Sequence, residues 1–233
     1  MGTVVERAFR GEFETHLTVR PDDRAVSGAR LERWAGQHGL KLTRIVLDRG
    51  AVRDQPMLTE RGRGTLAEQR TAARLRSAAL RAAGFSVVRV KIEAAPWNED
   101  IPRTADEAAE LSSVCHFEHH IKLLLTGEPE VASARDVAER HSAHLSRNAR
   151  RAARHGHHER FVTQRCRGVG RPEARARLDD LLGALATAGL EVAEVEEEFV
   201  VHDDHPAVDA GWIDERTGRP AEERGARRPE VTA

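Results

Sequence analysis

The chain is written twice. Phe13, Glu14, His16, Thr59 and Arg61 recur 104 positions later as Phe117, Glu118, His120, Thr163 and Arg165. Gly84, Val87, Val90 and Glu93 recur 105 positions later as Gly189, Val192, Val195 and Glu198, so one inserted residue separates the two blocks of matches. An internal repeat constrains a fold more than any local pattern does. Whatever motif the first copy adopts the second should adopt, and side chains kept identical should occupy pseudo-equivalent places.

The 233 residues divide accordingly. We expect a first repeat over 1–95, a linker with a short helix over 96–112, a second repeat over 113–212 and a disordered tail over 213–233. Units of roughly 100 residues are large enough to bury a core. In the first copy, Phe13 to Val19 alternates apolar and polar residues, the period of a half-buried strand. Leu31, Trp34 and Ala35 recur at helical spacing between Gly28 and Gly39. Leu40 to Asp48 and Gln55 to Arg61 read as strands, Leu66 to Ala83 as a helix closed by Gly84, and Phe85 to Glu93 as a last strand.

That order, β-α-β-β-α-β, predicts an α+β protein of two tandem ferredoxin-like repeats packed pseudo-symmetrically, with antiparallel sheets and helices on their outer faces. The second copy follows the pattern from Phe117 to Leu125 onward, except that the polar stretch His144 to Arg151 stands where the first copy has Leu40 to Leu47. Between the copies, Pro96 and Pro102 break regular structure, and Thr104 with Glu107 fits the capping box of a short helix.

Strand alternation then decides which side chains leave the core. Glu14, His16 and Thr18 point away from the helices, as do Arg89, Lys91 and Glu93, then Glu118, His120 and Lys122, then Glu194, Glu196 and Glu198. Core positions match loosely between copies, Val88 against Ala193 and Ile92 against Glu197, whereas Glu14, His16, Thr59, Arg61 and Glu93 repeat by identity. We therefore expect the two polar faces to meet in a shared cleft.

Two chemistries suit such a cleft. His16, Glu93, His120 and Glu198 are suitable ligands for one divalent metal ion. Alternatively His16 and His120 act as general acid and base, with Glu14, Glu93, Glu118 and Glu198 as carboxylate partners. Thr59, Arg61, Thr163, Arg165, Lys91 and Lys122 would then bind an anionic substrate. The metal arrangement is similar to the paired His/Glu sites of the vicinal oxygen chelate enzymes, which are also built from repeats but with a different strand order. The metal-free version resembles the 2H phosphoesterases, whose two repeats each bring a His-x-Thr or His-x-Ser motif to a central cleft. Here His16-Leu17-Thr18 fits that motif, and His120-Ile121-Lys122 departs from it. The expectation is a hydrolase, lyase or isomerase acting on a small anionic molecule, with a non-catalytic module for a small ligand or protein as the alternative.

Composition narrows the partners. With 37 Lys and Arg against 38 Asp and Glu, bulk charge gives no attraction to nucleic acid or an anionic membrane. A sheet that reads RNA would carry aromatic residues where this one carries Glu14, His16, Glu118 and His120. No apolar run approaches the roughly 20 residues of a membrane span. Cys115 and Cys166 lack metal-type spacing, and no signal peptide precedes them, which predicts a reducing, cytosolic setting. The basic stretch from Arg147 to His158 reads as a solvated loop, and the cluster His202, Asp203, Asp204, His205 and Asp209 as turn chemistry after the last strand.

Overall fold

The structure is a computed structural model that describes residues 8–21, 25–150 and 158–212. The expected tail over 213–233 lies outside the described residues, as do Arg151, Arg154, His155 and His157 of the basic stretch. Strands β1 (Arg10–Val19), β2 (Lys41–Leu47), β3 (Asp54–Thr65) and β4 (Val87–Ala94) come from the first half, with helices α1 (Ala25–Gln37) and α2 (Leu66–Ala82). After α3 (Ala105–Ala109), the second half supplies β5 (His116–Leu125), α4 (Glu128–Arg140), β6 (Ala143–Asn148), β7 (His158–Cys166), α5 (Arg171–Thr187) and β8 (Glu191–Asp203).

The expected pair of ferredoxin-like sheets packed face to face is not what forms. All eight strands join one closed antiparallel barrel in the order β1-β3-β2-β6-β7-β5-β8-β4. The reason lies at the edges. A four-stranded sheet leaves two rows of unpaired N–H and C=O groups, and closure removes them. Here Ile45 to Leu47 of β2 pairs with Ser146 to Asn148 of β6, and Lys91 to Ala94 of β4 pairs with Phe199 to Asp203 of β8. The polar β6 is a strand for the same reason. It is hydrogen-bonded on both sides, and its alternate side chains face a polar interior instead of an apolar core.

Closure turns the sheet inside out relative to an ordinary core. The four long helices pack on the outer wall, α1 against β2, α2 against β1, β3 and β4, α4 against β6 and β7, and α5 against β5, β7 and β8. Outward side chains meet them there. Leu17 and Leu58 pack with Leu31, Leu80 and Phe85 in the first half. Ile121, Leu123 and Val162 pack with Val131, Leu178 and Leu181 in the second. A third cluster joins the halves through Phe9, Phe13, Phe117 and Phe199, with the rings of Phe117 and Phe199 4.7 Å apart. Each such buried aliphatic or aromatic side chain contributes about 1.5–3 kcal/mol.

Local signals set the element ends. Thr65 accepts a hydrogen bond from the Glu68 amide, and the Glu68 carboxylate accepts one from the Thr65 amide at 2.7 Å, which starts α2. Thr104 caps α3 by accepting from the Glu107 amide at 3.2 Å. The segment joining the halves is docked to both. The Asn98 side chain accepts from the Glu12 amide and donates to the Glu12 carbonyl, and a Cβ at Gly170 would lie 2.2 Å from the Arg103 carbonyl oxygen.

Because the core is a sleeve between barrel and helices, a cavity within it should be felt in full. Leu178→Ala is expected to lower the free energy of unfolding by about 2–5 kcal/mol in a urea titration. A loss below 1 kcal/mol would mean that α5 does not carry the second-half core.

Candidate functional site

With the apolar side chains outside, the alternate positions line the lumen. A cavity of about 310 Å³ there is bordered by Glu14 and His16 of β1, Thr59 and Arg61 of β3, Lys91 of β4, Glu118, His120 and Lys122 of β5, Thr163 and Arg165 of β7, and Glu198 of β8. Glu93 lies beside them, in contact with His16 and Lys91. The structure thus brings together the His, Glu, Thr and Arg residues that the repeat singled out. They line the inside of a barrel, however, and not a cleft between two sheets.

The repeat is visible in the contacts themselves. His16 Nδ1 and Thr59 Oγ1 are hydrogen-bonded at 3.0 Å, and His120 Nδ1 and Thr163 Oγ1 at 3.1 Å. Each pair sits directly opposite across two neighbouring strands, so the register fixes the contact. The other ring nitrogen of each histidine faces carboxylates: His16 Nε2 is 2.5 Å from Glu93 Oε2, and His120 Nε2 is 3.4 Å from both Glu198 Oε2 and Glu118 Oε1. Arg61 donates to Glu14 at 2.5 Å, and Arg165 donates to Glu118 at 3.0 Å.

Two features break the symmetry. Lys91 places its ammonium 2.5 Å from Glu93 Oε1 and 3.0 Å from Glu118 Oε1, whereas its counterpart 105 positions on is Glu196. The barrel ends also differ. The end bearing Arg89 and Arg165 is closed by residues 204–212, which include a 3₁₀ turn over Pro206–Asp209. Asp209 accepts from Arg89, Arg165 and Gln55, Asp203 accepts two hydrogen bonds from Arg89, and the Trp212 indole donates to the Leu145 carbonyl.

These contacts set the protonation states. Burial works to raise Glu93 and Glu118, but Lys91 and His16 beside Glu93, and Arg165 and Lys91 beside Glu118, hold both well below the usual carboxylate range. Burial works to lower His120, yet its hydrogen bond to Glu198 and the charges of Glu118 and Glu198 prevail and raise it to about 9. Glu198 moves upward, through burial and the charge of Glu93. A protonated imidazole therefore stands next to a carboxylate that ionises reluctantly.

Other expectations resolve differently. The four proposed metal ligands do not form one group. Among the described residues, the ligand atoms within 4.8 Å of one another are those of Glu14, His16 and Glu198, and separately those of Glu93, Glu118 and His120. The cluster expected after the last strand begins within it, since β8 includes His202 and Asp203; Asp203 and Asp209 are buried counterions of Arg89, and His202 lies outside the cavity lining, near Arg70. Arg150 of the basic stretch pairs with Glu32 of α1. Burial pushes the thiols of Cys115 and Cys166 up to about 11, which leaves neither activated as a nucleophile. Sequence reasoning missed the plug formed by Asp209 and Trp212, for which no periodic signal exists. It also passed over Lys91 against Glu196, a mismatch inside the matched block.

Comparison with protein-family models gives no match, and comparison with curated proteins finds no relative. No helix among the described residues is long and apolar enough to cross a membrane.

The geometry around His120 has a measurable consequence. A folded value raised to about 9 from an unfolded value of about 6.5 means that the protonated ring stabilises the native state fully below pH 6.5, and that this contribution is lost as pH rises through 9. His120→Gln should flatten stability against pH in that window. An imidazole resonance of His120 that titrates near 6.5 in the folded protein would contradict the arrangement.

Proposed function

We propose that the lumen is the active site of a cytosolic enzyme that transfers protons to and from a small anionic molecule. The observation that carries this reading is the identical His-Thr-carboxylate set built twice around one polar chamber. An eight-stranded barrel is just wide enough for side chains to fill its interior. Filling it with apolar side chains would be the simplest route to stability, because each buried ion costs several kcal/mol before its pairing is counted. This chain instead keeps a cavity of about 310 Å³ lined with titratable groups. That volume is at the lower end of the range for small-molecule sites.

Roles follow from position. His120, protonated and held by Thr163, is the general acid. Glu198 beside it is the group best placed to take a proton back, since burial and the charge of Glu93 raise its affinity for a proton and its carboxylate lies 3.4 Å from the ring. Lys41 lines the same chamber, as do Arg61 and Lys122, whose partners Glu14 and Glu159 are only partly buried, and these three supply positive charge for the substrate anion. Lys91, Arg89 and Arg165 are already paired with buried carboxylates, so they orient the wall and do not receive the ligand. The separate thiols Cys115 and Cys166 support the reducing, cytosolic setting.

A thermal-shift screen of small phosphates and carboxylates tests this reading, because a ligand that binds only the native state raises the melting temperature by mass action. A stabilising anion is expected, with affinity at least about tenfold weaker in Lys122→Ala. Once turnover of a stabilising compound is found, His120→Gln should abolish turnover and leave binding within about threefold of wild type. If no anion stabilises the wild type, or if Lys122→Ala binds equally well, the lumen is not an anion site.

A further inference from the structure

The seam between β4 and β8 is short. Lys91 to Ala94 pairs with Phe199 to Asp203, so each strand runs past the other, β4 over Val87 to Val90 and β8 over Glu191 to Glu198. These two overhangs are counterparts under the repeat, with Val87 and Val90 standing 105 positions before Val192 and Val195. The chain treats them differently.

On β4 the overhang is covered by the residues that follow β8. The Val90 amide donates to the Asp204 carboxylate at 2.7 Å, the Val90 carbonyl accepts from the Asp204 amide at 3.2 Å, and the Val88 carbonyl accepts from the His205 ring at 2.9 Å. On β8, no described residue covers Val195 in this way. The segment after β4 that could have done so serves β1 instead: the Ala95 amide donates to the Glu12 carbonyl, and the Asn98 side chain holds the Glu12 backbone. The Glu191 to Glu198 edge is therefore a row of backbone donors and acceptors open to a further strand.

Apolar surface marks the same place. Among the described residues four large apolar side chains are exposed, and two of them, Trp97 at 66% and Val195 at 38%, line the groove of about 700 Å³ beside this edge. Charge then selects the occupant. Along Glu191 to Glu198 the ion pairs are those of Glu197 with Arg175 and Glu198 with His120, which leaves Glu191, Glu194 and Glu196 without one among the described residues. A second copy of this chain pairing through the same edge would set glutamate against glutamate, a repulsive arrangement. A basic strand reverses the sign. Successive side chains of a strand point to opposite faces, so the matching occupant carries Arg or Lys opposite the inner row of Glu194 and Glu196, with apolar residues between them beside Val195.

We propose that the Glu191 to Glu198 edge of β8 docks an extended segment of a partner protein in which basic and apolar residues alternate. The segment adds to the sheet as a further strand: main-chain hydrogen bonds along the edge hold it, and the glutamate row and the Trp97 and Val195 surface choose its side chains. The inference goes beyond the proton-transfer reading and does not need it, since a strand can dock on the outer wall whether or not the lumen is catalytic.

The test uses a peptide alone, without substrate, so its failure and the failure of the enzyme reading are separable. The probe is a fluorescein-labelled peptide of alternating arginine and valine with blocked ends, read by fluorescence anisotropy. The wild type should bind it, and Trp97→Ala and the double variant Glu194→Lys/Glu196→Lys should each bind about tenfold more weakly. Two analogues, one N-methylated at its valines and one at its arginines, keep the charge but lose the N–H donors of one strand edge. One of the two should bind about tenfold more weakly than the parent peptide. Equal affinity for all three peptides would mean that charge alone attracts them and would overturn the proposal, as would no binding by the wild type or undiminished binding by both variants. A wild-type dimer in sedimentation that Trp97→Ala dissociates would overturn it too, since a second copy would then occupy the edge.

Discussion

Edge satisfaction is the constraint on which the rest depends. Each half brings four strands and two open edges, and pairing β2 with β6 and β4 with β8 satisfies all four edges at once. Everything else about the interior follows. Once the sheet closes, one face of every strand is committed to the lumen and the other to the helices, so hydrophobic burial must be completed outside the barrel. The lumen is then free to be polar, on condition that its charges are compensated. The chain Arg89, Asp209, Arg165, Glu118, Lys91 and Glu93 meets that condition, with alternating sign at contact distances of 2.5–3.0 Å. Removing one member would leave its neighbour as an uncompensated buried charge, the costly case at about 3–5 kcal/mol.

The parts of this arrangement that were legible from the sequence are those governed by local period. Alternation in Phe13 to Val19 and Phe117 to Leu125 assigns Glu14, His16, Glu118 and His120 to one face, and identity between copies marks that face as special. Closure was not legible, because it rests on contacts as short as Ile45 to Leu47 against Ser146 to Asn148, about 100 residues apart in sequence. No period encodes such a pairing. The polar pattern of His144 to Asn148 argued against a strand only under the assumption that a strand must bury an apolar face. In a barrel with a polar lumen, Leu145 alone among these side chains needs to face the outer core.

The plug was hidden for a related reason. Asp203 and Asp209 look like ordinary turn residues after a strand, and only the buried Arg89 gives them a task. Arg89 in turn has no match in the other half, where the corresponding position is Glu194. The internal repeat therefore reports the shared scaffold through its identities, and the divergence of the two ends through its mismatches. Arg89 against Glu194 and Lys91 against Glu196 are the two mismatches that reverse charge on the inner wall, and they lie on the same strand pair.

That reversal gives the lumen a direction. At the closed end Arg89 and Arg165 are neutralised by Asp203, Asp209 and Glu118, so no net attraction remains for a ligand. The acidic row of β8, Glu194, Glu196 and Glu198, stands four strands from β2 in either direction around the barrel, and β2 contributes Lys41 to the opposite wall. The lumen thus sets Lys41 on one wall against Glu194, Glu196 and Glu198 on the other, with Lys122 of β5 directly beside Glu194. The same two substitutions that break the symmetry of the repeat thus allow one chamber to hold both signs of charge, which a faithful duplicate could not do without cancelling itself.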